Sequence, residues 1–237
     1  FPGHYQPKVP ADLGFYDLRL PEVREQQVKL AKEACVYGFC YYHYWFNGKR
    51  LMDRPVKEIL ASGQPDFPFM LCWANENWSR NWDGKFRNIL IEQHYSEEDD
   101  IEHMRYLCSK VFQDTRYIRI DGKPVFAIYR SNFFPNMKHT IDVWRKVAKE
   151  EYGIELYLIR VENEPDFGPK YLDCGFDSAM DFQPLLMGEF NAWWKNLPFR
   201  IMNHLFKGKY QWFNKHFSYA SYVKYRIKKP LADYKCF

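Results

Sequence analysis

The chain has 237 residues and a net charge of +4, with 46% hydrophobic and 27% charged residues, values ordinary for one large soluble globular domain. No run approaches the ~20 apolar residues of a membrane span and no charged-apolar-small signal pattern opens the sequence, which excludes a spanning helix and points to the cytoplasm. Six scattered cysteines without a Cys-x-x-Cys pair signal neither a zinc site nor a disulfide framework, so reduced thiols, no metal and no cofactor are expected.

Taken in order, Phe1 to Asp12 reads as an extended lead-in, and Phe1 is not an initiator Met, so the chain reads as a piece of a longer protein. Pro21 opens a helical pattern with Val23, Gln27, Leu30, Ala34 and Tyr37 on successive turns, and Gly38 supplies the stop. An aromatic strand Phe39 to Phe46 follows, then a short helix Asp53 to Ser62 and a strand Phe67 to Trp73. Ile89 to Tyr95 is a short strand or arm. Ser96 with Asp99 three residues on makes a capping-box-like start for a helix to Phe112, and its acidic first turn suits the positive helix end. Tyr117 to Ile120, turned by Asp121-Gly122, leads into a strand Val125 to Arg130. The helix Met137 to Tyr152 carries an apolar stripe of Ile141, Trp144, Val147 and Ala148 and stops at Gly153. A strand Ile154 to Val161, a short polar stretch Lys170 to Cys174 and a strand Phe176 to Phe182 complete the alternation.

Five strands alternating with helices predict an α/β fold with a parallel sheet, for which a doubly wound sheet and a (β/α) TIM-type barrel both fit. Two observations favour the barrel. No glycine-rich phosphate loop follows any strand, and polar residues gather after strand ends, at His43 to Asn47, Asn75 to Asn77, Arg130 to Asn132, Glu162 to Glu164 and Asp181 to Gln183. Five strands do not close an eight-stranded barrel, so the barrel is expected to be incomplete. Residues 1–188 form its domain, and 189–237 a helical segment of the same domain or a lid.

Aromatic content of 19%, with 8 Trp, 18 Tyr and 20 Phe, is high. In Leu71-Cys72-Trp73-Ala74-Asn75-Glu76-Asn77-Trp78 an apolar strand delivers two amides and a carboxylate between two indoles. Sugar rings present C–H faces that pack on aromatic planes and hydroxyls that need amide and carboxylate partners, so this mixture suits a sugar site. Glu76 is the candidate for acid chemistry. Trp73, Asn75, Asn77 and Trp78 are candidate substrate-binding residues. Strand alternation puts Tyr41, His43 and Trp45 on one face, and His43 and Trp45 are expected to point inward near the substrate. Tyr129, Arg130, Glu162 and Asp181 at later strand ends complete the set, with Arg80, Trp82 and Asp83 as a further subsite or a solvated loop. Asp100 and His103, at helical spacing, read as an exposed helix face rather than a metal pair.

The charge is unevenly spread. Between Phe190 and Lys229 there are nine Lys and Arg and no Asp or Glu, interleaved with Trp193, Trp194, Phe199 and Trp212, so the rest of the chain carries −5. The segment reads as an interfacial helix on an anionic membrane surface, a lid, or an ordinary crossover helix. It holds no nucleic-acid-binding motif, and no nucleic-acid partner is expected.

The runs Gly38 to Gly48, Cys72 to Trp78, Ile91-Glu92-Gln93-His94-Tyr95-Ser96-Glu97-Glu98-Asp99 and Asp121-Gly122-Lys123-Pro124-Val125 resemble the WbsX family. The resemblance covers about Gly3 to Phe182. It implies bacterial lipopolysaccharide (O-antigen) or related surface-glycan biosynthesis, where members are labelled glycosyltransferases. It also implies a fold related to the endo-alpha-mannosidase-like glycoside hydrolases, which are (β/α) barrels. The expected function is a carbohydrate-active enzyme acting at a glycosidic bond on a glycan or lipid-linked oligosaccharide, peripheral to the inner membrane if residues 190–229 bind it. A glycoside hydrolase and a non-catalytic glycan-binding module are the alternatives. By the same resemblance one strand precedes Phe1 and two follow Phe237, the second with an Asn-Glu-Trp-x-Glu-Gly-like motif bearing the catalytic pair. That motif is absent from this sequence, and Glu76 is then implied to bind substrate. Asp181-Phe182-Gln183-Pro184 departs from the family's Glu-Phe-Pro-Pro.

Overall fold

In the computed structural model, which describes residues 9–80, 89–162, 172–182 and 223–224, five parallel strands lie side by side in the order in which the chain makes them. Strand β1 (Phe39–Phe46) pairs with β3 (Phe69–Trp73), from Phe39 opposite Phe69 to His43 opposite Trp73. Strand β7 (Lys123–Ile128) pairs with β3 through Trp73 and Ile128, β8 (Tyr157–Glu162) with β7, and β9 (Ser178–Asp181) with β8, where Glu162 lies opposite Asp181. Short antiparallel pieces flank this core: β2 (Lys49–Leu51) on β1, β6 (Arg119–Ile120) on β7, and a separate pair of β4 (Trp78–Ser79) and β5 (Ile89–Ile91). A doubly wound sheet reverses its strand order at a switch point. This one does not reverse among the described residues.

Helices form where the sequence supplies both a face and caps. Helix α3 (Glu97–Tyr106) starts as expected at Ser96, whose side chain accepts from the Asp99 N–H, and continues through a π-helical turn, Leu107–Val111. Helix α4 (Met137–Tyr152) is capped by Asn136 and ends at Gly153, which takes φ +64°. Its predicted stripe is the buried one: Ile141, Trp144, Val147 and Ala148 lie in the core with Met104, Phe112, Phe126 and Leu158. Helix α2 (Arg54–Ser62) ends on Gly63 at φ +69°. At the other end of the strands the Tyr117 hydroxyl donates to Val125 O (2.7 Å) and accepts from Leu71 N (3.1 Å), tying β3 to β7.

Helix α1 (Pro21–Glu33) starts at Pro21, but its buried face is Val23, Arg24, Val28 and Ala31, while Tyr37 is 74% exposed. An apolar count misses this because one inward position is a cation. Arg24 Nη1 donates to Leu18 O and Glu58 Oε2, both at 2.8 Å. The stop is also not Gly38: the chain turns at Cys35, φ +56°. Gly38 serves close approach, since a Cβ there would sit 2.7 Å from Pro68 O.

By contact pattern the chain divides into two compact units, Phe1–Asp181 and Phe182–Phe237. The basic aromatic segment, apart from Val223 and Lys224, lies outside the described residues, as do Trp82, Asp83, Glu164 and Gln183. No described helix is long and apolar enough to cross a membrane.

Candidate functional site

The face of β1 expected to meet substrate is the one the helices cover. His43 Nε2 lies 2.9 Å from His103 Nε2 of α3, and Trp45 stacks on His103 with ring centroids 4.5 Å apart and donates from Nε1 to Asp99 Oδ1 at 2.9 Å. Trp73 packs edge-on against His103 and leans on Trp144. All three are buried, so the structure removes His43, Trp45 and Trp73 from the accessible surface. Asp100 and His103, expected on an exposed helix face, are buried as well, and Asp100 accepts from Thr140 Oγ1 at 2.9 Å. Alternation tells which side chains share a face; here both faces of β1 are aromatic and polar, and only the partners on α3 decide which one turns inward.

Burial drives His43 down to about 3, aided by Arg50, and His103 also falls well below the usual range. Both rings are neutral, and one must donate to the other. His103 Nδ1 is buried without a partner among the described residues, and an orphaned N–H is rarer than an orphaned acceptor. His103 therefore carries its proton on Nε2 and donates to His43.

The opposite face opens on a cavity of about 420 Å³ at the ends of β1, β3 and β7. Tyr42 and Tyr44 of β1, Ala74, Glu76, Asn77 and Trp78 after β3, and Tyr129 after β7 line it, with Ser79 and Leu90 from the β4–β5 pair. The rings meet edge to face: Tyr44 on Trp78 at 5.3 Å and Tyr42 on Tyr129 at 6.0 Å. Burial pushes the Tyr42 phenol up to about 12 and raises Tyr44 and Tyr129, so all three are neutral donors at physiological pH.

The three polar residues after β3 have distinct tasks. Asn75 is fully buried; its Oδ1 accepts from Arg130 N and its Nδ2 donates to Arg130 O, both at 2.8 Å, and Nδ2 also donates to the Tyr95 hydroxyl at 3.0 Å. It fastens the end of β3 to the end of β7 and is a positioning residue. Glu76, its side chain 40% exposed, accepts from Arg130 Nε at 2.8 Å, while the Arg130 guanidinium lies 4.9 Å from the centre of the Tyr129 ring. Asn77 accepts from Gln93 N at 2.7 Å.

Glu162 is away from this lining: 2% exposed, it pairs with Arg160 at 2.8 Å, and β8 register puts Arg160 opposite Ile128 on the helix-covered face. Asp181 ends β9 in register with Glu162. Sequence reasoning placed Tyr42 and Tyr44 on the far face and passed over Tyr95, Ser79 and Leu90. The period of β1 would have found the first two; Ser79 and Leu90 arrive through the β4–β5 pairing, which strands of two and three residues barely signal, and Tyr95 through its bonds to Asn75.

Among the described residues Glu76 is the one carboxylate lining this cavity, and no group of three or more His, Cys, Asp and Glu is gathered for a metal ion. Glycoside cleavage ordinarily uses two carboxylates, about 5 to 10 Å apart. The arrangement supplies ring surface, phenol and amide donors and one carboxylate acceptor, which together bind hydroxylated rings.

Over residues 1–237 the sequence matches the family described as Glycosyltransferase WbsX. The chain belongs to the WbsX family. This is the family that the motif runs resemble. An uncharacterized protein named WxcX from Xanthomonas campestris pv. campestris is 34% identical over 234 residues, covering 99% of this chain and 32% of the relative. The WbsX chain thus spans about a third of that relative's length. Among solved structures, a glycoside hydrolase-like protein shares the fold with a TM-score of 0.56 at 16% identity, over 81% of this chain and 58% of that one. A GH99 endo-alpha-mannosidase from Bacteroides thetaiotaomicron superposes with a TM-score of 0.48 at 15% identity, over 83% of this chain and 53% of that one.

Proposed function

We propose that this chain is the glycan-recognising part of a carbohydrate-active enzyme that acts at a glycosidic bond in bacterial surface-glycan assembly, on a glycan or lipid-linked oligosaccharide. The observation that carries the reading is the cavity in which Glu76, fixed by Arg130, stands among Tyr42, Tyr44, Trp78 and Tyr129. Family membership supports the enzyme class. Five parallel strands in unreversed order support an arc of a (β/α) barrel, with the cavity at the strand ends where barrel sites lie. Glu76 holds a substrate hydroxyl in this reading, with the main catalytic carboxylates supplied by strands outside these residues. The acid-free run 190–229 supports an anionic membrane surface as a second partner of a cytoplasmic protein.

A hydrolytic or transglycosylating reaction is the second reading. It is favoured by the absence of a glycine-rich phosphate loop after any strand in the sequence. Glycan-release and sugar-transfer assays on the full-length protein test both. Glu76→Gln is expected to lower either activity without lowering Tm; unchanged activity would remove Glu76 from the site. Glycan binding without turnover by the full-length protein would favour a binding module instead.

A further inference from the structure

Resting on that reading of the cavity, the geometry also defines what the site recognises. Glu76 and Asn77 are successive residues lining it, with opposite hydrogen-bonding chemistry. One Glu76 oxygen is engaged by Arg130, and Oε2, which can only accept, has no partner among the described residues. Asn77 is exposed, but its amide is not free to flip. The Gln93 N–H donates to Oδ1, which identifies that atom as oxygen and leaves the NH2 group, which can only donate, unpartnered among the described residues.

We propose that Glu76 and Asn77 together read two neighbouring hydroxyls of an uncharged pyranose ring. One hydroxyl donates to Glu76 Oε2 and the other accepts from Asn77 Nδ2, while Trp78 and Tyr44 offer ring surface to the C–H face of the same sugar. A sugar carboxylate in that place would meet the Oε2 anion, so acidic sugars are disfavoured. Asn77 is thereby a specificity-determining residue, and Gln93 holds it through the backbone.

Saturation-transfer NMR on the full-length protein tests this with methyl glycosides of neutral hexopyranoses, their monodeoxy analogues and a methyl glucuronoside. The proteins compared are the wild type, Asn77→Asp and Tyr42→Ala. Asn77→Asp keeps the acceptor for the Gln93 N–H, and therefore the loop, but turns the donor into an acceptor. The expected result is a neutral glycoside that binds the wild type and weakens by roughly tenfold in Asn77→Asp, the size of one lost hydrogen bond. The analogue lacking the hydroxyl read by Asn77 binds both proteins equally, a result that a merely structural role would not give. A neutral glycoside that ignores Asn77→Asp but is lost in Tyr42→Ala overturns the paired reading and leaves the sugar site standing. Preference for the glucuronoside overturns it too. No binding by any glycoside, or binding indifferent to Tyr42→Ala, overturns the sugar site and this proposal with it.

Discussion

Asn75 and Arg130 are joined like neighbours in a sheet: the Asn75 amide accepts from the Arg130 N–H and donates to the Arg130 carbonyl, both at 2.8 Å, with no Asn75 surface exposed. The side chain extends the pairing of β3 and β7 past its last rung, Trp73 opposite Ile128, next to Glu76 and Tyr129 in the cavity lining. Asn75→Ala removes both of these bonds and the one to the Tyr95 hydroxyl, and is expected to lower stability by about 2–4 kcal/mol. Urea denaturation reads this directly; a loss below about 0.5 kcal/mol, the level of an ordinary surface change, would show that the bridge is not needed.

The buried histidines set an acid limit. His43 and His103 are neutral when folded and depressed below their unfolded value of about 6.5, so the unfolded chain binds more protons on acidification. Stability is therefore full above about pH 6.5 and falls towards pH 3, by as much as ~1.4 kcal/mol per pH unit for each histidine. Asp99 and Asp100 work in the opposite direction, since burial raises both, Asp100 to about 6, and each favours the fold as it takes up a proton. The double variant His43→Phe/His103→Leu removes both partners at once. It is expected to flatten the decline between pH 6.5 and 4; an unchanged slope would locate acid sensitivity elsewhere.

Trp144 is the hub of the helix–sheet core, fully buried, with Phe126 at 5.9 Å, Trp73 at 6.0 Å and Phe134 at 6.1 Å. Trp144→Ala is expected to cost about 3–5 kcal/mol. Thermal unfolding measures it, and a Tm within a degree of wild type would contradict this packing.

How far the sequence was legible follows from these same residues. Ile141, Trp144, Val147 and Ala148 are apolar at helical spacing, Ser96 is a cap, and Gly153 is a stop; such local rules place elements well. The parallel sheet was legible too, in the alternation of strands and helices, and each of its parallel strands pairs with the next. Orientation about an axis was harder. Arg24 hid the buried face of α1, and β1 offered two faces of similar chemistry. Asn75 looked like a sugar ligand because its true partners, Arg130 and Tyr95, are 55 and 20 residues away. The resemblance supplied the family and the class of chemistry, which periodicity does not carry.

The central claim is that sugar meets the Tyr42 face of β1 and not the His43 face. The most direct measurement is a titration of the wild type, Tyr42→Ala and Trp45→Phe with neutral pyranosides, following ligand NMR signals and checking each fold by circular dichroism. Binding lost in Tyr42→Ala and kept in Trp45→Phe is the predicted result; binding kept in folded Tyr42→Ala and lost in folded Trp45→Phe would contradict it.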